Sequence, residues 1–173
     1  PNHVHLVAIP KKEISLSRTL ADTHMRYAQH VNRKYSKVGH LWQGRFFSCV
    51  LDENHTMAAT RYVERNPVTA GLVARAWDFP WSSARGHLGE EKDDLLSEQW
   101  PPQDLLDQWR ILLTGADEKN DIVAIRRSTQ AGKPLGNQEF IKALERLIKQ
   151  KFTSNCRGRP RNSLSKKALK RKK

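Results

Sequence analysis

Residues Thr60 to Val73 read Thr-Arg-Tyr-Val-Glu-Arg-Asn-Pro-Val-Thr-Ala-Gly-Leu-Val, and this stretch limits the fold more than any other. Tyr62 and Asn66 stand four residues apart, so on a helix a phenol and an amide lie on one face, one above the other. Pro67 follows at once. It disfavours helical backbone in the residue before it and brings no amide hydrogen, so the helix is expected to end there with Asn66 in its last turn. Upstream, Asp52 or Asn54 can cap it. A lone tyrosine on an amphipathic helix is ordinarily a core residue. Tyr62 differs from Tyr27 and Tyr35 in having a metal-binding side chain one turn on, where the other two have Val31 and Gly39.

The first residues supply a second constraint. Asn2 to Ile9 alternate as a short strand ended by Pro10, which puts His3 and His5 on one side, about 7 Å apart along the chain. Two imidazoles at that spacing can share one metal ion. Short His-x-His patterns also arise by chance, and this chain has seven histidines, so the pair gains meaning only in company.

Ser15 or Ser17 can cap a helix running to about Tyr35, with Leu16, Leu20, Tyr27, Val31 and Tyr35 as its apolar stripe. Lys37 to Arg45 reads as a loop. Its Trp42 and Arg45 suit stacking on unpaired bases, and a loop tryptophan folded back on the core fits the sequence equally well. Phe46 to Leu51 is rich in β-forming residues and is expected to be a second strand. After an aromatic coil around Trp77 to Ser83, a helix with Leu105, Leu106, Trp109, Leu112 and Leu113 on one side is expected.

Two more helices follow, near Glu118 to Gln130 and Gln138 to Phe152, joined by a Gly-Lys-Pro-Leu-Gly turn with Asn137 as a cap. A helix, a short turn and a helix is the outline of a DNA-reading helix-turn-helix and also of any helical hairpin. Arg126, Arg127 and Lys133 flank it as candidate DNA contacts. Residues 1–90 are thus read as one domain, 91–153 as a helical extension and 154–173 as a disordered tail.

Charge points to the partner. The chain has 31 Lys and Arg against 18 Asp and Glu, a net charge of +13 over 173 residues, which favours a polyanion, nucleic acid before membrane. Much of the excess lies after Cys156, where Arg157-Gly-Arg-Pro-Arg161 is thin, extended and cationic like an AT-hook. Arg157, Arg159 and Arg161 suit the narrow minor groove of A/T-rich duplex DNA. No apolar run is long enough to cross a bilayer and no leader pattern opens the chain, so a cytoplasmic, nucleoid-associated protein is expected. Cys49 and Cys156 form neither a disulfide framework nor a zinc motif.

Taken together, Pro1-Asn-His-Val-His-Leu-Val7, Leu41-Trp-Gln-Gly-Arg-Phe46 and Arg61-Tyr-Val-Glu-Arg-Asn-Pro-Val-Thr-Ala-Gly-Leu-Val73 resemble the single-strand DNA transposases of the IS200 type, and most of all the REP-associated tyrosine transposases. The resemblance covers about residues 1–88. It implies an α+β, ferredoxin-like HUH endonuclease domain in which His3 and His5 bind a divalent metal and Tyr62 is the nucleophile. Asn66 matches the position where related enzymes place a third ligand, often as Gln, and its amide oxygen suits a hard cation such as Mg²⁺ or Mn²⁺. The implied activity is cutting and rejoining of single-stranded DNA at hairpin repeats through a 5′-phosphotyrosine, by a monomer or a dimer. The family has a strand, a helix and a strand before the His-bearing strand, so the chain is read as an N-terminally truncated version. The competing reading is therefore a catalytically inactive DNA-binding remnant. A metal-dependent hydrolase is disfavoured, because no carboxylate pair or further histidine supplies a water-activating base beside the His pair.

Overall fold

Asp52 opens the helix on which the rest of the chain packs. The computed structural model describes residues 3–97, 103–116 and 118–152. It is helical, in the order α1 (Ser15–Lys34), α2 (Glu53–Thr69), α3 (Ala84–His87), α4 (Gln103–Thr114), α5 (Lys119–Ala131) and α6 (Gln138–Ile148), with a single 3-10 turn at Ala76–Asp78. The Asp52 side chain accepts the His55 amide at 2.9 Å, which satisfies a donor that the first turn of α2 would otherwise leave open.

Pro67 does not stop α2, contrary to the expectation from sequence. The helix continues to Thr69 with the proline inside its last turn, because at that depth the ring forfeits one backbone bond and the turns around it still close. The stop comes at Gly71, whose φ of +69° is a left-handed conformation that costs glycine little. There the Gly71 amide donates to Val68 O and the Leu72 amide to Pro67 O, both at 2.9 Å, the paired bonds of a Schellman ending.

The ferredoxin-like sheet is not formed. Among the described residues there is no strand, only an isolated parallel bridge between Leu51 and Leu135. Alternating side chains make a strand only when a neighbour completes the hydrogen-bond ladder, and neither the segment of His3 and His5 nor residues 46–50 find such a neighbour. Their apolar faces show the consequence: Val4 is 74 % exposed, Ile9 76 % and Phe47 72 %. Instead, the turn between α5 and α6 closes on residues 50–52. Leu135 donates to Val50 O at 2.8 Å and Asp52 donates to Leu135 O at 3.1 Å.

The core divides into two clusters on either side of α2. Ala76, Ala84, Trp109 and Leu113 form the first, with Met57, Val68 and Leu88 against it. The second comprises Ala59, Tyr62 and Ile125, with Leu51, Val63, Ile122 and Leu135. Trp109 is fully buried, and removal of such a side chain costs about 3–5 kcal/mol. The expected apolar side of α4 therefore holds at Trp109 and Leu113.

Between the clusters lies a buried polar hub. Glu64 has no exposed surface. Its Oε1 accepts from the Ser83 hydroxyl and from Nδ1 of His87, each at 2.5 Å, and its Oε2 accepts from Nε1 of Trp109 at 2.8 Å. Two arginines of α2 complete the joint: Arg61 donates to Leu112 O, Gly115 O and Ala116 O, and Arg65 to Leu113 O. They satisfy the carbonyls that the end of α4 leaves open.

Elsewhere α1 matches its expected span, but its half-buried side includes Leu20, His24, Ala28 and Val31, while Tyr27 and Tyr35 are 53 % and 58 % exposed. Trp42 folds back on this helix: its ring stacks on His24 at 4.0 Å and its Nε1 donates to His24 O at 3.0 Å. The base-stacking alternative for Trp42 is thus not the arrangement adopted. No described helix is long and apolar enough to cross a membrane.

Candidate active site

Tyr62 and Asn66 meet as the helical spacing requires. The Asn66 Nδ2 stands 3.5 Å from Tyr62 Oη, with the tyrosine ring buried between Ala59 and Ile125 and 7 % of the residue exposed. The first residues of the chain come to the same place. His5 Nε2 lies 3.4 Å from the Asn66 side-chain amide, and the His5 and Tyr62 rings meet edge to face with centroids 5.7 Å apart. A contact spanning 61 residues of sequence is what the motifs could not guarantee.

His3 and His5 turn their ring nitrogens toward one point, with Nε2 to Nε2 at 3.1 Å. Two nitrogens each about 2.1 Å from one metal ion would be separated by about 3.0–3.4 Å at right to tetrahedral angles, so the spacing fits a shared cation. A half-turn of the Asn66 amide would offer its oxygen to the same place. Burial, then His3, then Arg126 lower the pKa of His5 below its ordinary value, which favours the neutral imidazole that a metal needs. Among the described residues no three His, Cys, Asp or Glu side chains converge. The candidate ligands are therefore two imidazoles and an amide.

Arg126 was expected beside a DNA-reading helical pair. On α5 of that pair it reaches the tyrosine: its Nε donates to Tyr62 Oη at 3.1 Å and its guanidinium lies 5.6 Å from the ring centroid. Ile122 and Ile125 of α5 pack against the Tyr62 cluster, and this anchors the turn that delivers Arg126. No signal local to residues 118–131 announces that contact, since it spans 64 residues. Arg45 and Arg127 are exposed, while Arg157, Arg159 and Arg161 fall outside the described residues.

The comparison with protein families now has a geometry to meet. Residues 1–66 match the family model described as transposase IS200 like. This stretch belongs to the IS200-like transposases. It contains His3, His5, Tyr62 and Asn66, and it ends one residue before Pro67. The match supports a transposase function in general, with DNA cleavage as a property of the family. Helices α4 to α6, and with them Arg126, lie beyond the IS200-like match. Searches of curated proteins and of solved structures returned no match.

Proposed function

We propose that this protein is a metal-dependent transposase and endonuclease of single-stranded DNA, which cuts and rejoins strands at hairpin repeats through a 5′-phosphotyrosine on Tyr62. The observation that supports it is the convergence of His3 and His5, from one end of the family match, on Tyr62 and Asn66 at its other end. A chance His-x-His pair has no reason to face the one tyrosine that has a polar ligand on the next turn.

His3, His5 and Asn66 would hold Mg²⁺ or Mn²⁺. When bound, such an ion acts as a Lewis acid on an anionic phosphodiester and neutralises charge that develops there. The protein's own groups do the rest. Tyr62 Oη attacks phosphorus, the bond to the 3′ oxygen breaks, and that oxygen leaves with the electron pair and takes up a proton. A phenol, with an ordinary pKa near 10, is only about one part in a thousand ionised at neutral pH and needs a cation or a base nearby. The phosphotyrosyl bond retains the energy of the ester, so a free 3′-OH can attack it and rejoin DNA without ATP.

Exposed Arg45 and Arg127 would track the DNA backbone, and the Arg157, Arg159 and Arg161 segment would add affinity for A/T-rich duplex, consistent with nucleoid association. The test is an end-labelled single-stranded hairpin incubated with the protein and Mn²⁺, then run on a denaturing gel. A covalent adduct in the wild type that Tyr62→Phe abolishes supports the proposal, and its absence from the wild type defeats it. A second reading, a non-catalytic DNA-binding protein, is favoured by the burial of Tyr62, 7 % exposed. It predicts binding equal in wild type and Tyr62→Phe with no adduct in either.

A further inference from the structure

We infer that Arg126 is a catalytic residue of this site, supplied by the helical extension rather than by the IS200-like stretch. The inference rests on the proposed tyrosine chemistry and adds a group to it. Three observations carry it. First, Arg126 touches the oxygen that would attack: Nε is 3.1 Å from Tyr62 Oη. Second, the contact is built. Ile125, 8 % exposed, is locked into the cluster around Tyr62 and Ala59, and Ile122 lies one helical turn before Arg126, so the apolar face of α5 fixes where the guanidinium stands. Third, among the described residues Arg126 has no carboxylate partner, although it stands beside an oxygen that is uncharged as a phenol. Arg126 is itself an exposed residue, so a phosphate can reach the donors that Tyr62 does not use.

A guanidinium stays protonated throughout any physiological pH range and presents a planar fork of donors matched to phosphate. With Nε on Tyr62 Oη, the two terminal nitrogens are on the same rigid plane. That arrangement brings the attacking oxygen and a non-bridging oxygen of the scissile phosphate together in one cationic grip. As the bond from Oη to phosphorus forms and the bond to the 3′ oxygen breaks, negative charge spreads over the phosphoryl oxygens. Arg126 opposes that charge without having to move. The phenolic proton passes through solvent to the departing 3′ oxygen. Arg126 neither gains nor loses a proton. In the phosphotyrosine that results, the same guanidinium faces the anionic phosphate and holds it for the returning 3′-OH.

The experiment uses the full 173-residue chain, end-labelled hairpin single-stranded DNA and Mn²⁺, and measures DNA affinity and the single-turnover rate of adduct formation separately. Removing a preorganised donor to transition-state charge costs about a hundredfold or more in rate. Arg126→Gln is expected to show that loss with DNA affinity within about twofold of wild type, as one phosphate contact among many affects affinity little. Arg126→Lys should recover part of the rate, and millimolar guanidinium should restore part of it to Arg126→Ala. Melting temperatures of all three variants are taken alongside. An Arg126→Gln protein that forms adduct at the wild-type rate overturns the inference. So does a rate loss that follows melting temperature across all three variants and resists guanidinium, which would make Arg126 a packing residue. If the wild type itself forms no Tyr62-dependent adduct, the proposed function fails and the role of Arg126 with it; a wild-type adduct that Arg126→Gln matches removes the role of Arg126 alone.

Discussion

Glu64 offers the sharpest quantitative test of how this fold is held. Its carboxyl group receives three donors, from Ser83, His87 and Trp109, and is itself fully buried. In Glu64→Ala all three lose their acceptor. The Trp109 indole cannot reach water, since that residue is also fully buried, so its orphaned N–H costs about 1–3 kcal/mol. The Ser83 hydroxyl can rotate to another acceptor and the His87 ring can place its proton on the other nitrogen, so these two together add about 1 kcal/mol or more. With the cavity left by the side chain, the total should be about 3–5 kcal/mol. Glu64→Gln keeps the volume and one acceptor oxygen but turns an NH₂ toward a donor, for a loss of about 1–3 kcal/mol. Urea denaturation followed by circular dichroism measures both. At about 2–4 °C per kcal/mol for a chain of this size, the alanine variant should melt at least about 6 °C lower. A loss under about 0.5 kcal/mol for Glu64→Ala, or a glutamine variant less stable than the alanine one, would refute the hub as an organising element.

Three further outcomes follow from the same geometry. Burial works against the Asp52 carboxylate, but hydrogen bonds from the His55 amide, the His55 ring and the Asn137 amide outweigh it and hold its pKa below the ordinary value; Asp52→Ala should cost about 0.5–2 kcal/mol at pH 7. Because the folded value is the lower one, that contribution is complete above the ordinary value of 3.8 and fades as pH falls through the folded value, so the stabilities of wild type and variant should converge only in strong acid. Gly71→Ala meets no atom within 4 Å yet must hold φ at +69°, so it should lose about 1 kcal/mol through backbone strain alone, read as a lower urea midpoint with an unchanged slope. Saturating Mn²⁺, at about a hundred times its dissociation constant, should add about 2.7 kcal/mol to the stability of the wild type and nothing to that of His3→Ala, as a thermal shift would show.

What could be read from the sequence was what neighbouring residues decide among themselves. Asp52 and Asn137 cap their helices as their side chains require, and Tyr62 and Asn66 meet because helical geometry leaves them no alternative. The sheet failed as an expectation because alternation is a local property and a ladder is not: His3 to Ile9 and Phe46 to Val50 carry the pattern without the partner. Pro67 misled in the opposite direction, since its local preference lost to a helix whose remaining turns still closed and whose stop signal was Gly71. Arg126 was visible as a cation, but its place depends on a tyrosine 64 residues upstream that no local pattern names.

Arg61 and Arg65 hold the last carbonyls of α4 from the helix that bears Tyr62, and that bears on how the protein could be taken apart. A fragment cut at residue 66, where the family match ends, would retain both guanidiniums and lose the carbonyls of Leu112, Leu113, Gly115 and Ala116, together with the tryptophan that fills the space beside Glu64. The stretch that defines the ancestry is therefore not the stretch that can stand alone. Anyone grafting this segment onto another carrier would have to take the seam with it, through Ala116 at least, or build new acceptors on the recipient for two half-buried cations.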